Sequence, residues 1–509
     1  MTHSHAATHS VRTALAPLYN APVRNRTSDS MTVDHTTPPT VLSIQFIAPD
    51  RRPDFPLPLV PPIHRFKPDI PSRSLSSTPI IPIPIISISQ PHIPSPMPCV
   101  ALGVVALALT FSPAMLRVTP FHPRTAPLVR AATWRRWSGF QVASAYEPIP
   151  DAEYAAIRNS AALIDVSPLH KYRINGKDAV RLLDRLITRD VTRCRVGQVL
   201  YTPWCDHAGK VVDDGTLHRL DEKRFRLTSA EPNLRWLSLS ATGMDVEIED
   251  ESDRVGALAL QGPLSRAILE QACSADLSGL RYFRLAETTI RGLPVTISRT
   301  GYTGDLGYEV WVDADHAVPV WDALLATGEP FGITPAGIWA LDIARIEAGL
   351  IMLGVDYFSA HHAMIEDQKS TPPELGLGWT VRFDKGPYTG KHALKAEAAR
   401  GRAWAFVGLD IDWDSLERLH AERGLSPYVP TIAWRTSAPV YRGGKQIGYA
   451  TSGCWSPLLK KYLALAHLEA PHAIAGTRVR LEITVEHRRR QARAVVRDLP
   501  FFDPERKKA

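Results

Sequence analysis

Of the 43 prolines in this 509-residue chain, 23 fall within the first 130 residues, and that imbalance decides where a core can form. Proline removes a backbone donor and breaks helices. The stretch 79–86 (PIIPIPII), followed by Pro91, Pro94, Pro96 and Pro98, therefore closes no ordinary core despite its isoleucines. The apolar run at 99–111 that follows is shorter than the roughly 20 residues that span a bilayer. It also begins too far along for a signal peptide, whose apolar region lies within about the first 15–30 positions. Residues 1–130 are expected to be a disordered, Pro-rich extension without catalytic content, with a targeting role left open by its basic, Ser/Thr-rich character. The working body is expected to begin near 131–140.

The formal charge of +7 follows the same division. Residues 1–130 hold 11 Lys/Arg against 5 Asp/Glu, and the remainder holds 48 against 47, so the body is balanced and gives no electrostatic reason for a nucleic-acid partner. Five widely spaced cysteines (Cys99, Cys194, Cys205, Cys273, Cys454) contain no CxxC and are odd in number. They form neither a disulfide framework nor a zinc site and suit a reducing compartment, so a cytoplasmic protein without a membrane or metal is expected. His361 and His362 are sequence neighbours, which is poor geometry for two ligands of one metal. No GxGxxG, Walker A, HExxH or GxSxG sequence occurs in the body.

The body interleaves helical and strand-like segments. Helices are expected over 151–162, 179–187, 236–242, 264–272, 317–326 and 336–348. Strands are expected at 163–166, 172–174, 199–204, 224–229, 246–248, 255–260 and 375–381, the last with Trp379 embedded. From about residue 401 short strands and turns take over. The predicted class is α+β, with a small C-terminal β domain over 401–500 and a polar tail at 501–509.

Two stretches carry candidate chemistry. In 298–312 (SRTGYTGDLGYEVWV), Gly301, Gly304 and Gly307 recur every third residue, which permits positive φ and close backbone approach. Glu309 alternates with Tyr308 and Val310, so it leaves the strand on the opposite face from them, with Tyr302 flanking the turn. Read one way, this is a carboxylate beside a ring-sized slot. Read the other way, it is a tight hairpin with a solvated acid. In 199–220, Asp213 and Asp214 lie on the return strand of a hairpin and cannot share an environment: one faces solvent while the other enters the interior, or both decorate a surface turn.

Six motifs in register resemble the aminomethyltransferase family, which includes the glycine-cleavage T protein and related tetrahydrofolate-dependent demethylases. They are Asp165-Val166-Ser167, the run 209–214 with its paired acids, Leu260-Gln261-Gly262-Pro263, Gly301-Tyr302-Thr303-Gly304 with Gly307 and Glu309, RIEAG at 345–349, and Thr451-Ser452-Gly453 with Ser456-Pro457. The resemblance runs from about 146 to 500. It implies a folate-binding catalytic body over 131–400, a C-terminal β-barrel, and tetrahydrofolate as co-substrate.

Residue by residue, the resemblance implies Asp214 as the catalytic carboxylate near the reacting folate nitrogens. It implies Glu309 as the acid pairing with pterin N–H groups, with Tyr201, Tyr302, Leu169 and Ser229 lining the folate channel. The chain departs from the family where a His-Met pair gives way to Pro168-Leu169, an arginine to Leu341 and a tyrosine to Leu353. Loss of such hydrogen bonds changes substrate preference. The implied activity is transfer of an aminomethyl or methyl unit from a small-molecule donor, or one held by a lipoyl carrier protein, to tetrahydrofolate. The alternative is a folate-binding regulatory or maintenance protein without turnover. Its Lys-Gly-Cys-Tyr signature is absent here.

Overall fold

The computed structural model describes residues 116–130 and 132–508; the expected disordered extension lies, as far as residue 115, outside them. The chain is structured from the start of the described part. β1 (Arg117–Val118) and α1 (His122–Thr125) precede the antiparallel pair β2 (Trp134–Trp137) and β3 (Phe140–Ala143), and β1 joins β3 in parallel. Ordered structure among the described residues thus already includes 117–128, ahead of the boundary expected at 130. The cause is Phe121, fully buried with its ring 6.0 Å from that of Trp321. Pro123 does not prevent this, because it falls in the first helical turn, where a missing N–H costs nothing.

From α2 (Asp151–Asn159) the chain forms β4 (Ala161–Asp165), then crosses by a short turn into another sheet as β5 (His170–Asn175). α3 (Ala179–Leu186) buries its Leu182, Leu183 and Leu186 stripe against that sheet. The meander β6 (Val199–Cys205), β7 (Val211–Arg219) and β8 (Arg224–Ser229) follows, then α4 (Leu234–Ser240) and β9 (Glu247–Asp250). The five strands lie in the order β6-β7-β8-β5-β9. β10 (Val255–Gln261) returns to the sheet of β4, followed by α5 (Ser265–Ala272), the hairpin β11 (Leu285–Ile290) and β12 (Leu293–Ser298), and β13 (Gly307–Asp313). Next come α6 (Ala317–Gly328), β14 (Ile333–Pro335) and α7 (Ile338–Glu347). This sheet runs β11-β12-β13-β10-β4-β14.

Period-two alternation sorts the side chains of both sheets. On the six-stranded sheet, Leu163, Leu258, Leu260, Val310 and Val312 pack outward with α5 and α6, while Ala162, Ile164, Ala257, Ala259 and Trp311 join a central core. On the five-stranded sheet, Leu200, Leu217, Leu227 and Tyr172 pack outward with α3 and α4. The inner faces of the two sheets carry the polar residues considered below.

After α8 (Lys391–Arg400), a closed barrel is built from β15 (Trp404–Ile411), β16 (Ala438–Arg442), β17 (Lys445–Ser456), β18 (Lys461–Glu469), β19 (Arg478–Val485) and β20 (Arg488–Arg497), with α9 (Trp413–Ala421) inserted after β15. α7 is buried nearly all round and contributes with barrel residues Cys454, Leu463 and Leu465 to the central core. Its polar residues are consumed internally. Glu347 accepts from Arg158 Nη2 at 2.6 Å, and Arg345 Nε donates to Asp342 at 2.8 Å.

One further expectation changes. Residues 375–381 are no strand: Leu377 N donates to Pro372 O and Thr380 N to Leu377 O, which curls the segment into a 3-10 turn at Gly378–Thr380 and leaves Trp379 60% exposed. Pro372, Pro373, Gly376 and Gly378 favour such local closure over a ladder. The polar tail is anchored. Arg506 grips Asp305 with two hydrogen bonds, of 2.6 and 2.8 Å, and Phe502 N donates to Glu347 O at 2.9 Å. Among the described residues no helix is long and apolar enough to cross a membrane.

Candidate active site

β7 carries Asp213 and Asp214 to opposite sides of its sheet, as strand alternation requires. Asp214 lies on the inner face, where it accepts hydrogen bonds from Tyr201 Oη at 2.7 Å and from Tyr357 Oη, one on each carboxylate oxygen. Asp213 is fully buried on the other side, where it accepts from Asp214 N at 2.7 Å, Glu231 N at 3.0 Å and Asn233 Nδ2 at 2.9 Å. Asp213 is thus the acid that enters the interior, while Asp214 is half-buried on the inner face. Backbone donors at the 230–233 turn replace the water an unpaired carboxylate would need.

Burial raises the pKa of both carboxylates. For Asp213 the rise is large and the charge of Asp214 adds to it; for Asp214 the two phenol donors pull the other way. Burial also pushes Tyr201 and Tyr357 well above the ordinary phenol range, with the charge of Asp214 next in importance. Both hydroxyls hence keep their protons, and Asp214 is the acceptor of the trio.

Glu309 stands on β13 with its side chain on the inner face, opposite Tyr308 and Val310, which pack outward. Its Oε2 accepts from Thr300 Oγ1 at 2.6 Å and Ser298 Oγ at 3.4 Å, while Oε1 has no protein partner among the described residues. Burial raises its pKa, and the two hydroxyls oppose that rise.

The three glycines of this loop serve different ends. Only Gly304 adopts positive φ (+73°), and a Cβ there would meet the Ala348 methyl at 2.4 Å. Gly301 and Gly307 instead leave room for the Gln261 side chain, which would lie 2.0 and 2.2 Å from a Cβ at those positions. Gln261 in turn donates to Tyr308 O at 3.1 Å and accepts from Thr303 Oγ1 at 2.8 Å. The Gln261-Gly262-Pro263 sequence thus fastens the loop that positions Glu309 and Tyr302.

The inner faces of the two sheets meet. His218, on the same face of β7 as Asp214, stands edge-on to Trp311, on the same face of β13 as Glu309, with centroids 5.1 Å apart. Burial and then the charge of Arg226 pull the pKa of His218 down to about 3, so this contact is made by a neutral ring. Tyr302 donates to Ile351 O and packs, like Tyr201, against the central core that contains Tyr357; burial raises its pKa, with the charge of Arg345 opposing. The structure therefore joins Asp214 to Tyr201 and Tyr357, packs Tyr302 on the same core, and carries Glu309 on the opposed inner face.

Ser229 does not join them. It donates to Glu231 O at 2.6 Å on the Asp213 side of the sheet. Leu169 sits in the turn between β4 and β5, where its carbonyl accepts from the buried Lys171 Nζ at 2.6 Å.

Tyr357 escaped the sequence reading because it lies in an irregular loop with no periodicity. Its neighbour Asp356 is held by Arg345, by Met352 N at 2.9 Å, by Thr451 and by Ser452 Oγ at 2.9 Å, and its carbonyl accepts from His467 Nε2 at 2.7 Å. Thr451 and Ser452 are consecutive, yet both reach Asp356, because the register shifts between Ala450 and Ser452. RIEAG and Thr451-Ser452 were visible as motifs, but nothing in their spacing reveals that they converge.

Two adjoining clefts of about 320 and 230 Å³ open elsewhere, the first lined by Glu231, Trp236, His361 and His362 and the second by Arg185, Asp206 and His207. Neither includes Asp214 or Glu309. Among the described residues no group of three or more His, Cys, Asp or Glu side chains is arranged to hold a metal.

Comparison with known proteins follows the same architecture. Residues 122–385 match the model of the GCVT N-terminal domain, and residues 424–503 match that of the glycine cleavage T-protein C-terminal barrel domain. The aminomethyltransferase of Halothermothrix orenii is 35% identical over 354 residues, covering 69% of this chain and 90% of that protein. That of Desulforamulus reducens is 32% identical over 394 residues, covering 77% and 99%. In three dimensions, the glycine cleavage system aminomethyltransferase T from Bartonella henselae superposes with a TM-score of 0.65 at 24% identity, over 76% of this chain and 98% of that one, a likeness of fold.

Proposed function

This chain belongs to the aminomethyltransferase (glycine cleavage T-protein) family, and on that premise we propose that it moves an aminomethyl or methyl unit from a small-molecule or lipoyl-carried donor to tetrahydrofolate. Enzymatic activity of the aminomethyltransferase type is a property of the family. The co-substrate, the donor and the roles of individual residues are our reading.

The observation that carries it is Asp214, clamped by two phenols on the inner face that looks toward Glu309. The free Oε1 of Glu309 fits a folate head group: a carboxylate oxygen only accepts, and a pterin edge offers adjacent N–H donors. When bound, tetrahydrofolate supplies the nitrogen that takes up the one-carbon unit.

The protein's own residues do the rest. Glu309 holds the ring edge, with Thr300 fixing its rotamer. Asp214 orients the reacting end and receives a proton at either oxygen when a phenol swings away. Tyr201, Tyr302 and Trp311 exclude water, which strengthens each of these interactions. Cytoplasmic residence belongs to the same reading, supported by the unpaired thiols of Cys194, Cys205, Cys273 and Cys454.

The test is calorimetric titration with tetrahydrofolate, followed by mass-spectrometric identification of the folate product. The donors offered are an aminomethyl-lipoyl carrier protein, dimethylglycine, a sulfonium compound and a methoxybenzoate. Absence of tetrahydrofolate binding would overturn the reading.

A further inference from the structure

Trp379 presents its indole to solvent next to Tyr201, the hydrogen-bond partner of Asp214. Its ring is 60% exposed and stacks on Tyr201, with centroids 6.3 Å apart and planes 27° from parallel. On the same indole, 5.3 Å from its centroid, lies the guanidinium of Arg189. Tyr201 is the phenol that donates to Asp214 at 2.7 Å. Asp214, Tyr201, Trp379 and Arg189 thus form a continuous row from the buried carboxylate to the surface.

The cation at the outer end of that row lacks a counter-charge. Arg189 is partly buried, and the one hydrogen bond its guanidinium makes among the described residues runs from Nη1 to Tyr201 O at 3.5 Å, the limit of a useful length. No carboxylate of the described residues pairs with it. Burial, and then the like charge of Arg382, lower its pKa. Arg382 does have an acid, Asp384, gripped through Nε and Nη2 at 3.2 and 3.1 Å. A desolvated guanidinium without an anion is unfavourable, and an arriving carboxylate corrects that by bidentate pairing. An exposed indole with one face supported by a tyrosine is a rigid shelf that costs little entropy to use.

We propose that Arg189 and Trp379 form a recognition shelf for a one-carbon donor with a free carboxylate, the anion pairing with Arg189 and the body of the donor lying on the indole. The donor's reactive end then points along Tyr201 toward Asp214. This inference rests on the assignment of Asp214 as the reacting end. It selects a small anionic donor over one attached to a carrier through a neutral amide. The glutamyl tail of folate offers the same chemistry, a carboxylate on a planar group, so the experiment must separate the two.

Arg189→Met and Trp379→Ala are compared with the unaltered protein, with Arg189→Lys and Trp379→Phe as milder variants if either unfolds. Calorimetry measures binding of 3-methoxybenzoate and dimethylglycine, each against its methyl ester. Tetrahydrofolate is measured against a tetrahydropterin that lacks the tail. The expected result is a loss of about 10- to 100-fold in affinity for the carboxylates in Arg189→Met, with the esters and both pterin ligands changed less than about twofold. Equal effects on acids and esters would overturn the proposal. So would weakening confined to tetrahydrofolate, which would assign the shelf to the folate tail. If the unaltered protein binds the carboxylates but not tetrahydrofolate, the folate reading fails and the shelf stands.

Discussion

The imidazole of His218 meets the indole of Trp311 edge-on at 5.1 Å, and this contact joins the sheet face that carries Asp214 to the one that carries Glu309. Two acids nearly a hundred residues apart in sequence therefore sit on opposed inner faces. Each strand alone fixes only which way its side chains alternate. The ring contact fixes which faces oppose.

On the proposed function, the acid limb of the pH–rate profile is expected to report Asp214. Burial raises its folded pKa above the usual carboxylate value, while the hydrogen bonds from Tyr357 and Tyr201 oppose that rise. Tyr357→Phe removes one opposing bond, so the carboxylate takes up a proton at higher pH and the limb of kcat/KM moves upward. Asp214→Asn lowers kcat by about 10²–10⁴-fold with folate affinity retained. A limb that stays in place in Tyr357→Phe would exclude Asp214 as the titrating group.

Glu309 is expected to govern ligand affinity more than turnover. Glu309→Gln keeps the shape but presents an N–H₂ where only an acceptor fits, so tetrahydrofolate affinity should fall by about 10- to 100-fold. Thr300→Val removes the 2.6 Å donor to Oε2, which raises the pKa of Glu309 further and moves the loss of affinity in acid to a higher pH. Calorimetry as a function of pH reads both effects.

Lys171 makes stability depend on alkaline pH. Burial and then the nearby charge of Arg226 lower its pKa from 10.5 to about 7. Between those values the unfolded chain keeps the proton and the folded chain releases it. Unfolding therefore takes up protons, and stability rises as pH increases from about 7 to 10.5. Below pH 7 both states are charged and the benefit is absent. Urea midpoints at pH 7 and pH 9.5 should show the rise in the unaltered protein and a smaller one in Lys171→Met.

The barrel reaches the site through Asp356. Ser452→Ala or Thr451→Val leaves this buried carboxylate one donor short, which should cost about 1–3 kcal/mol in urea unfolding. Because Tyr357 is the next residue, loosening Asp356 should also shift the acid limb in the direction seen for Tyr357→Phe. Thr451→Ser keeps a hydroxyl and should restore both readouts. A stability loss without any shift in the profile would separate the barrel from Asp214.

Much of this arrangement was legible before any coordinates. Period-two alternation at 308–312 correctly turned Glu309 away from Tyr308 and Val310, and alternation at 213–214 correctly split the acid pair. The glycines of 301–307 correctly marked a crowded loop, although only Gly304 needs positive φ. Errors arose where local composition was outvoted. Phe121 anchors a segment rich in proline, and Trp379 lies in a 3-10 turn where a strand was expected.

The chain by itself determined most of the elements, the direction in which Asp214 and Glu309 leave their strands, and the family. Only the tertiary structure decided that Tyr357 reaches Asp214 from 143 positions away, that a barrel bulge turns both Thr451 and Ser452 onto Asp356, and that Arg189 meets no acid among the described residues. The physical reason is range. Side-chain alternation and turn chemistry act over a few bonds and leave a periodic trace in the sequence. Partners brought together by packing two sheets and a barrel leave none.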